Sequence, residues 1–151
     1  MKKINVALIG AGYISDYHAR GLQVLPNVEI KAVVGLPIES ANEFALKYNI
    51  QEATTETLSL TSRNDIDAVL ISTPNKFHAP YAIEFLNHGK DVFIEKPMAM
   101  NVNESIQVIK AAKKNDKIIL VGHMWRFDKE AQFIKSVIDS GKLGKIIKTK
   151  G

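Results

Sequence analysis

Ile4-Asn5-Val6-Ala7-Leu8-Ile9-Gly10-Ala11-Gly12-Tyr13-Ile14-Ser15 is the stretch whose reading decides the fold. Ile4 to Ile9 is almost wholly apolar, as expected of a strand covered on both faces of a parallel sheet. Gly10 permits a tight turn, Gly12 lets a ligand approach the backbone, and the third small position, here Ser15, lets the next helix pack on the strand. Such a strand–turn–helix holds a dinucleotide pyrophosphate, with the free N–H groups of the first helical turn, at Tyr13 and Ile14, facing the phosphates. Two rival readings are an ordinary βα turn and a methyltransferase-type nucleotide site. The latter carries a denser glycine pattern after an acidic residue, and this strand has neither.

Outward from the turn, short apolar runs alternate with helical patterns, which predicts βαβ units in a doubly wound parallel α/β sheet. Strands are expected at Val28 to Val34, Ala68 to Ser72, Asp91 to Glu95 and Ile118 to Gly122, with a short strand or turn and a short helix around Leu58 between residues 52 and 64. A helix over Ile14 to Leu25 would bury Tyr17, Gly21, Leu22 and Leu25. Another, over Glu39 to Tyr48, would pack through Phe44 and Leu46. A third, from Phe77 to His88, would bury Ile83 and Leu86 and end at Gly89. Asn101 and Glu104 resemble a capping box for a helix carrying Ile106, Ile109 and Ala112. Asp128 opens a last helix with Phe133, Ile134, Val137 and Ile138, closed by Gly141, and Lys145 to Thr149 reads as a final strand. The exposed edge of that strand predicts self-association, as a homo-oligomer, or pairing with further sequence. A helix and one strand cannot bury a sheet face alone. The expected division is therefore a dinucleotide-binding Rossmann-type domain over 1–123 and, over 124–151, the first helix and strand of a second α/β domain.

Composition narrows the function. The chain has 151 residues, a formal charge of +4 and no cysteine, which removes disulfides and thiolate metal sites; no metal site is expected. Much of the positive excess is Lys135, Lys142, Lys145, Lys148 and Lys150, with Asp139 alone against them. Scattered at this spacing they read as a solvated face, and nucleic-acid binding is not expected. The apolar run after Met1-Lys2-Lys3 is too short for a signal peptide, and no stretch is long enough to span a bilayer. The expected location is the cytoplasm, with no membrane partner.

Chemistry is expected at the strand ends, where open α/β sheets bind their ligands. The second strand would normally end in an acidic residue for the adenosine ribose; here Val34-Gly35-Leu36 stands there, so both NAD and NADP remain open as cofactor. Thr73-Pro74-Asn75 and Glu95-Lys96-Pro97 each follow a predicted strand. An ammonium at Lys96 could hydrogen-bond a substrate oxygen and stabilise charge developing on it, although a lone lysine is also an ordinary surface residue. His78 could stabilise its own helix turn. His123 and Arg126 follow the last strand and could line the same cleft or belong to a domain junction.

Taken in order, Gly10-Ala11-Gly12-Tyr13-Ile14-Ser15 with His18, Thr73-Pro74-Asn75 with His78, Glu95-Lys96-Pro97-Met98-Ala99 and Gly122-His123-Met124-Trp125-Arg126-Phe127 resemble the N-terminal domain of the Gfo/Idh/MocA oxidoreductases. The resemblance covers essentially the whole chain. It implies an NAD(P)-dependent dehydrogenase acting on a sugar, cyclitol or related polyol, with this chain as the cofactor-binding half. Under it, Lys96 is the catalytic lysine beside the nicotinamide, Glu95 and Pro97 shape its loop, and the Lys96–Pro97 bond is a candidate for the cis form. Thr73, Pro74, Asn75 and His78 lie along the cofactor, and Trp125 and Arg126 lie near the cleft or a neighbouring subunit. Leu36 stands where many members carry Arg, or Asp just before it. The second domain of such proteins supplies an Asp/His pair and the substrate sheet, which would lie beyond Gly151. The alternative is a non-catalytic dinucleotide-binding sensor or assembly module.

Overall fold

The computed structural model describes residues 2–150. Six parallel strands form one sheet in the order β3-β2-β1-β4-β5-β6. They are β1 (Ile4–Ile9), β2 (Val28–Val34), β3 (Glu52–Thr54), β4 (Ala68–Ile71), β5 (Asp91–Ile94) and β6 (Ile119–Val121). The helices are α1 (Tyr13–Gln23), α2 (Ile38–Tyr48), α3 (His78–Asn87), α4 (Val102–Lys114) and α5 (Lys129–Asp139), with short 3-10 turns at Thr57–Leu60, Asn75–Phe77 and Met124–Arg126. This is the expected doubly wound arrangement.

The period-two alternation of the strands divides the core. Ala7, Ile9, Val69, Ile71, Val92 and Ile94 face Phe85 and Leu86 of α3 and Val108 of α4. Val6, Leu8, Val33 and Leu70 face Ala19 of α1 and Phe44 and Tyr48 of α2. Strand order reverses between β1 and β4, which opens a crevice at the carboxyl ends of those two strands. The Gly10 turn and the Thr73 loop flank it. Asn101 accepts a hydrogen bond from the Glu104 N–H at 2.9 Å, and Glu104 accepts one from the Met100 N–H at 2.9 Å, so the expected capping pair is built.

Several helix faces differ from expectation. On α1 the residues turned to the sheet are Ser15, Ala19 and Leu22; Tyr17, Gly21 and Leu25 are exposed. Small side chains bring the helix close to the strands and leave the larger ones at its rim. Leu46 of α2 is 86 % exposed. On α4 the buried positions are Val108, Ala111 and Ala112, because that helix packs against α3; Ile106 and Ile109 lie on its outer flank. Phe133, Ile134 and Ile138 of α5 are likewise exposed.

Lys145 to Thr149 is not a strand. A strand needs a neighbour to accept and donate its ladder bonds, and no described strand lies beside it; Ile147 is 93 % exposed. The expectation of self-association through that edge loses its strand. Among the described residues no helix is long and apolar enough to cross a membrane.

Candidate functional site

Three loops meet at the carboxyl edge of the sheet, and buried polar side chains tie them together. Gly10 has a φ of 122°, and a Cβ there would stand 2.9 Å from the Ser72 carbonyl oxygen. Only glycine fits such a close crossing at that φ. The Gly10 N–H donates to the Val34 carbonyl at 2.9 Å, and Ser15 Oγ donates to the Gly10 carbonyl at 2.7 Å. Ser72 Oγ lies 2.6 Å from Ser15 Oγ. With the Ser15 proton already on Gly10, Ser72 is the donor in that pair. Ser15 is thus a latch across β1 and β4, a role beyond the smallness read from sequence.

Gly12 is the N-cap of α1 and offers no side chain to the first turn, so no side-chain group caps the helix. A Cβ at Gly12 would meet nothing within 4 Å. The N–H groups of Tyr13 and Ile14 therefore start a helix whose positive end faces open space, and these features fit a pyrophosphate. Gly35 is different. It is buried, and a Cβ on it would stand 2.8 Å from Ala11 Cβ. It shapes the wall and presents no side chain to a ligand.

In the second loop, Thr73 Oγ1 is buried without a hydrogen-bond partner, while Pro74 and Asn75 are exposed. An orphaned hydroxyl at this edge also suits a polar ligand. His78 is only 1 % exposed. Its Nε2 lies 2.8 Å from the Thr73 carbonyl and its Nδ1 lies 2.7 Å from the Pro97 carbonyl. Each ring nitrogen faces a backbone carbonyl, so His78 bolts the second loop to the third.

The third loop follows β5. Glu95 is 8 % exposed, and its two carboxylate oxygens are used separately. Oε1 accepts from His18 Nε2 at 2.9 Å and Oε2 accepts from the Lys96 N–H at 3.1 Å. The His18 ring also stands edge-on to Phe93, with centroids 5.0 Å apart. Gly122, at the end of β6, makes room for this pair: a Cβ there would come within 3.0 Å of Glu95 Oε1. His18 on α1 therefore connects the helix behind the glycine turn to the loop that carries Lys96. Their 77-residue separation hid the contact from sequence reasoning. Both Leu36–Pro37 and Lys96–Pro97 are cis, the second as the resemblance suggested.

Lys96 itself is exposed, with no side-chain partner among the described residues. Trp125 and Arg126 are also exposed, in the 3-10 turn after the outermost strand. Their neighbours Met124 and Phe127 line an apolar cleft of about 240 Å³ with His18, Phe93, Glu95 and Leu120. A separate open cleft of about 480 Å³ lies beside the glycine turn, between α1 and α2. There Lys47 and Tyr48 donate to Asp16 and hold its carboxyl below the usual carboxylate range.

Residues 4–123 match the Gfo/Idh/MocA oxidoreductase family with its NAD-binding Rossmann fold. A 4-carboxy-2-hydroxymuconate-6-semialdehyde dehydrogenase of Sphingobium is 34 % identical over 140 residues, which is 93 % of this chain and 44 % of that protein. A scyllo-inositol 2-dehydrogenase (NADP(+)) of Bacillus subtilis is 35 % identical over 117 residues, covering 78 % of this chain and 36 % of its own length. The crystal structure of myo-inositol 2-dehydrogenase from Lactobacillus plantarum superposes with a TM-score of 0.87 at 30 % identity, over 97 % of this chain and 44 % of that one. The chain spans less than half the length of these relatives.

Proposed function

The chain belongs to the Gfo/Idh/MocA oxidoreductase family, and on that premise we propose that it is the cofactor-binding half of an NAD(P)-dependent dehydrogenase acting on a sugar, cyclitol or related polyol. The dinucleotide, when bound, supplies the nicotinamide that gives or takes the hydride. The polyol class is supported by the inositol dehydrogenases among the relatives.

The observation that carries this reading is the single polar framework joining the glycine turn, the Thr73 loop and the Lys96 loop. Within it, Gly12 and the N–H groups of Tyr13 and Ile14 bind the pyrophosphate. Thr73, Pro74 and Asn75 line the cofactor, and Gly35 with Ala11 forms its wall. Glu95 and Pro97 fix the path of the chain at Lys96. The Lys96 ammonium, unpaired among the described residues, hydrogen-bonds the reacting oxygen of the substrate and stabilises negative charge on it. Trp125 and Arg126 stand at the entrance from the β6 side. Residues 124–151 begin a substrate domain, a reading supported by the apolar face of α5, where Phe133, Ile134 and Ile138 have no partner within this domain. A second copy of the chain, as a homo-oligomer, is the alternative cover for that face.

Calorimetric titration with NADH tests the reading directly. Saturable binding is expected, and it should be lost in Gly12→Glu, which puts a bulky carboxylate into the open space at the α1 N-terminus. Binding that survives Gly12→Glu unchanged would place the nucleotide elsewhere.

A further inference from the structure

We infer that this cofactor cleft does not discriminate between NAD(H) and NADP(H), because the place from which a carboxylate would read the adenosine ribose is filled by packing. The inference rests on the cofactor reading above. In dinucleotide folds, an acidic side chain about twenty residues beyond the glycine turn hydrogen-bonds the ribose 2′-OH. Its negative charge also repels a 2′-phosphate, and an arginine nearby does the reverse.

In this chain β2 ends at Val34 and Gly35-Leu36-Pro37 follows. The end of the strand is held on both sides. The Gly10 N–H donates to Val34 O at 2.9 Å, and the Gly35 N–H donates to Thr54 O at 3.1 Å. A Cβ at position 35 would stand 2.8 Å from Ala11 Cβ and 3.1 Å from Ala41 Cβ. Two methyl groups occupy the space a ribose-reading side chain would start from. Leu36 is exposed and carries no charge. Neither position can read the 2′ substituent.

The charges around the adjoining cleft do not replace the missing discriminator. Its lining includes Asp16, Arg20, Glu43 and Lys47, two acids against two bases. Arg20 Nη2 stands 2.6 Å from Asp16 Oδ2, and Lys47 is paired with the same carboxylate. Both cations are paired with Asp16, and with Glu43 counted the lining carries no net charge to favour or repel a 2′-phosphate. Glu43 on α2 is the one acid of the lining outside this cluster, and Glu39 lies in the first turn of the same helix. Ser40, also in the lining, is uncharged.

The experiment is a calorimetric comparison of NADH and NADPH on the 151-residue chain. Dissociation constants within about tenfold of each other are expected. A larger preference in either direction overturns the inference, and a preference for NADH removed by Glu43→Gln would identify the discriminator that was overlooked. Binding of neither nucleotide would instead remove the cofactor reading itself. The exposed position 36 gives a second measurement that leaves the core untouched. Leu36→Arg should tighten NADPH by about tenfold with NADH unchanged, and Leu36→Asp should weaken NADPH alone. If both variants behave as the parent toward both nucleotides, position 36 does not face the ribose and the inference falls. Gly35→Asp should weaken both nucleotides together through its contact with Ala11. A Gly35→Asp chain that gains NADH and loses NADPH would show that the space was open after all.

Discussion

At the carboxyl edge of the sheet, buried polar side chains reach from one loop to another; at the amino edge, charged groups cancel one another nearby. Ser15 joins Ser72, His18 joins Glu95, and His78 joins the Thr73 and Pro97 carbonyls. At the opposite edge, Asp67 accepts from the Asn5 N–H at 2.9 Å and pairs with Lys2 at 3.3 Å. Arg63 holds both Asp65 and Glu52, and it pulls the Asp65 carboxyl down to about 2. Lys90, buried, donates to the Arg63 and Ile66 carbonyls. Apart from the unpartnered Asn5 side-chain oxygen, these amino-edge groups are satisfied by one another. The carboxyl edge leaves an open helix start at Gly12, an orphaned Thr73 hydroxyl and the unpaired ammonium of Lys96. Both edges hold buried polar groups, but only at the carboxyl edge do they tie together the loops that carry these three features.

The strongest way to break this contrast is at the turn itself. Gly10→Ala places a methyl 2.9 Å from the Ser72 carbonyl at a φ of 122°. Strain and overpacking together should cost about 2–5 kcal/mol, read as a fall in the urea midpoint, and NADH binding should disappear. His78→Ala is next. It leaves the Thr73 and Pro97 carbonyls without their shared ring and opens a cavity, a cost of about 2–4 kcal/mol. NADH affinity should fall with stability, because the two loops lose their common support. An unchanged affinity in a folded His78→Ala chain would show that the loops keep their positions without it.

Lys90→Met provides the matching measurement on the amino edge. Removing this donor strands the Arg63 and Ile66 carbonyls. The cost is partly offset because burial already disfavours the Lys90 charge and pushes its pKa down, so about 1–2 kcal/mol is expected. The contrast requires that NADH affinity stay unchanged. A loss of binding comparable to that of His78→Ala would mean the two edges are coupled through the sheet.

What could be read from the chain before folding follows the range of each interaction. Ile4 to Ser15, the alternation of strands with helices and the Glu95-Lys96-Pro97 loop are local patterns, and local patterns survive in sequence. The Asn101–Glu104 cap is local too. By contrast, Ser15–Ser72 and His18–Glu95 span 57 and 77 residues and depend on which strands become neighbours. Nothing in the periodicity of α1 marks Ser15 and Ala19 as its buried face; Tyr17 and Leu25 are larger, and apolar weight pointed to them. Ile106, Ile109, Phe133 and Ile134 are apolar residues at helical spacing that stay exposed. Their pattern reports that a helix has an apolar side, but not whether this domain supplies the surface to cover it. Lys145 to Thr149 failed similarly, since strand propensity needs a partner before it becomes a ladder.

The smallest expected effect on stability is at the residue with the most chemistry. Lys96 is exposed, its ammonium is held by nothing among the described residues, and only its backbone N–H is engaged, by Glu95. Lys96→Met should therefore change unfolding free energy by no more than about 0.5 kcal/mol, measured by urea titration beside Lys90→Met. A side chain that contributes so little to folding while its loop is anchored by Glu95, His18 and His78 is positioned for something other than the fold. If Lys96→Met costs as much as Lys90→Met, the ammonium has an internal partner, and the contrast between a lysine that the fold uses and one that it leaves to solvent fails at this residue.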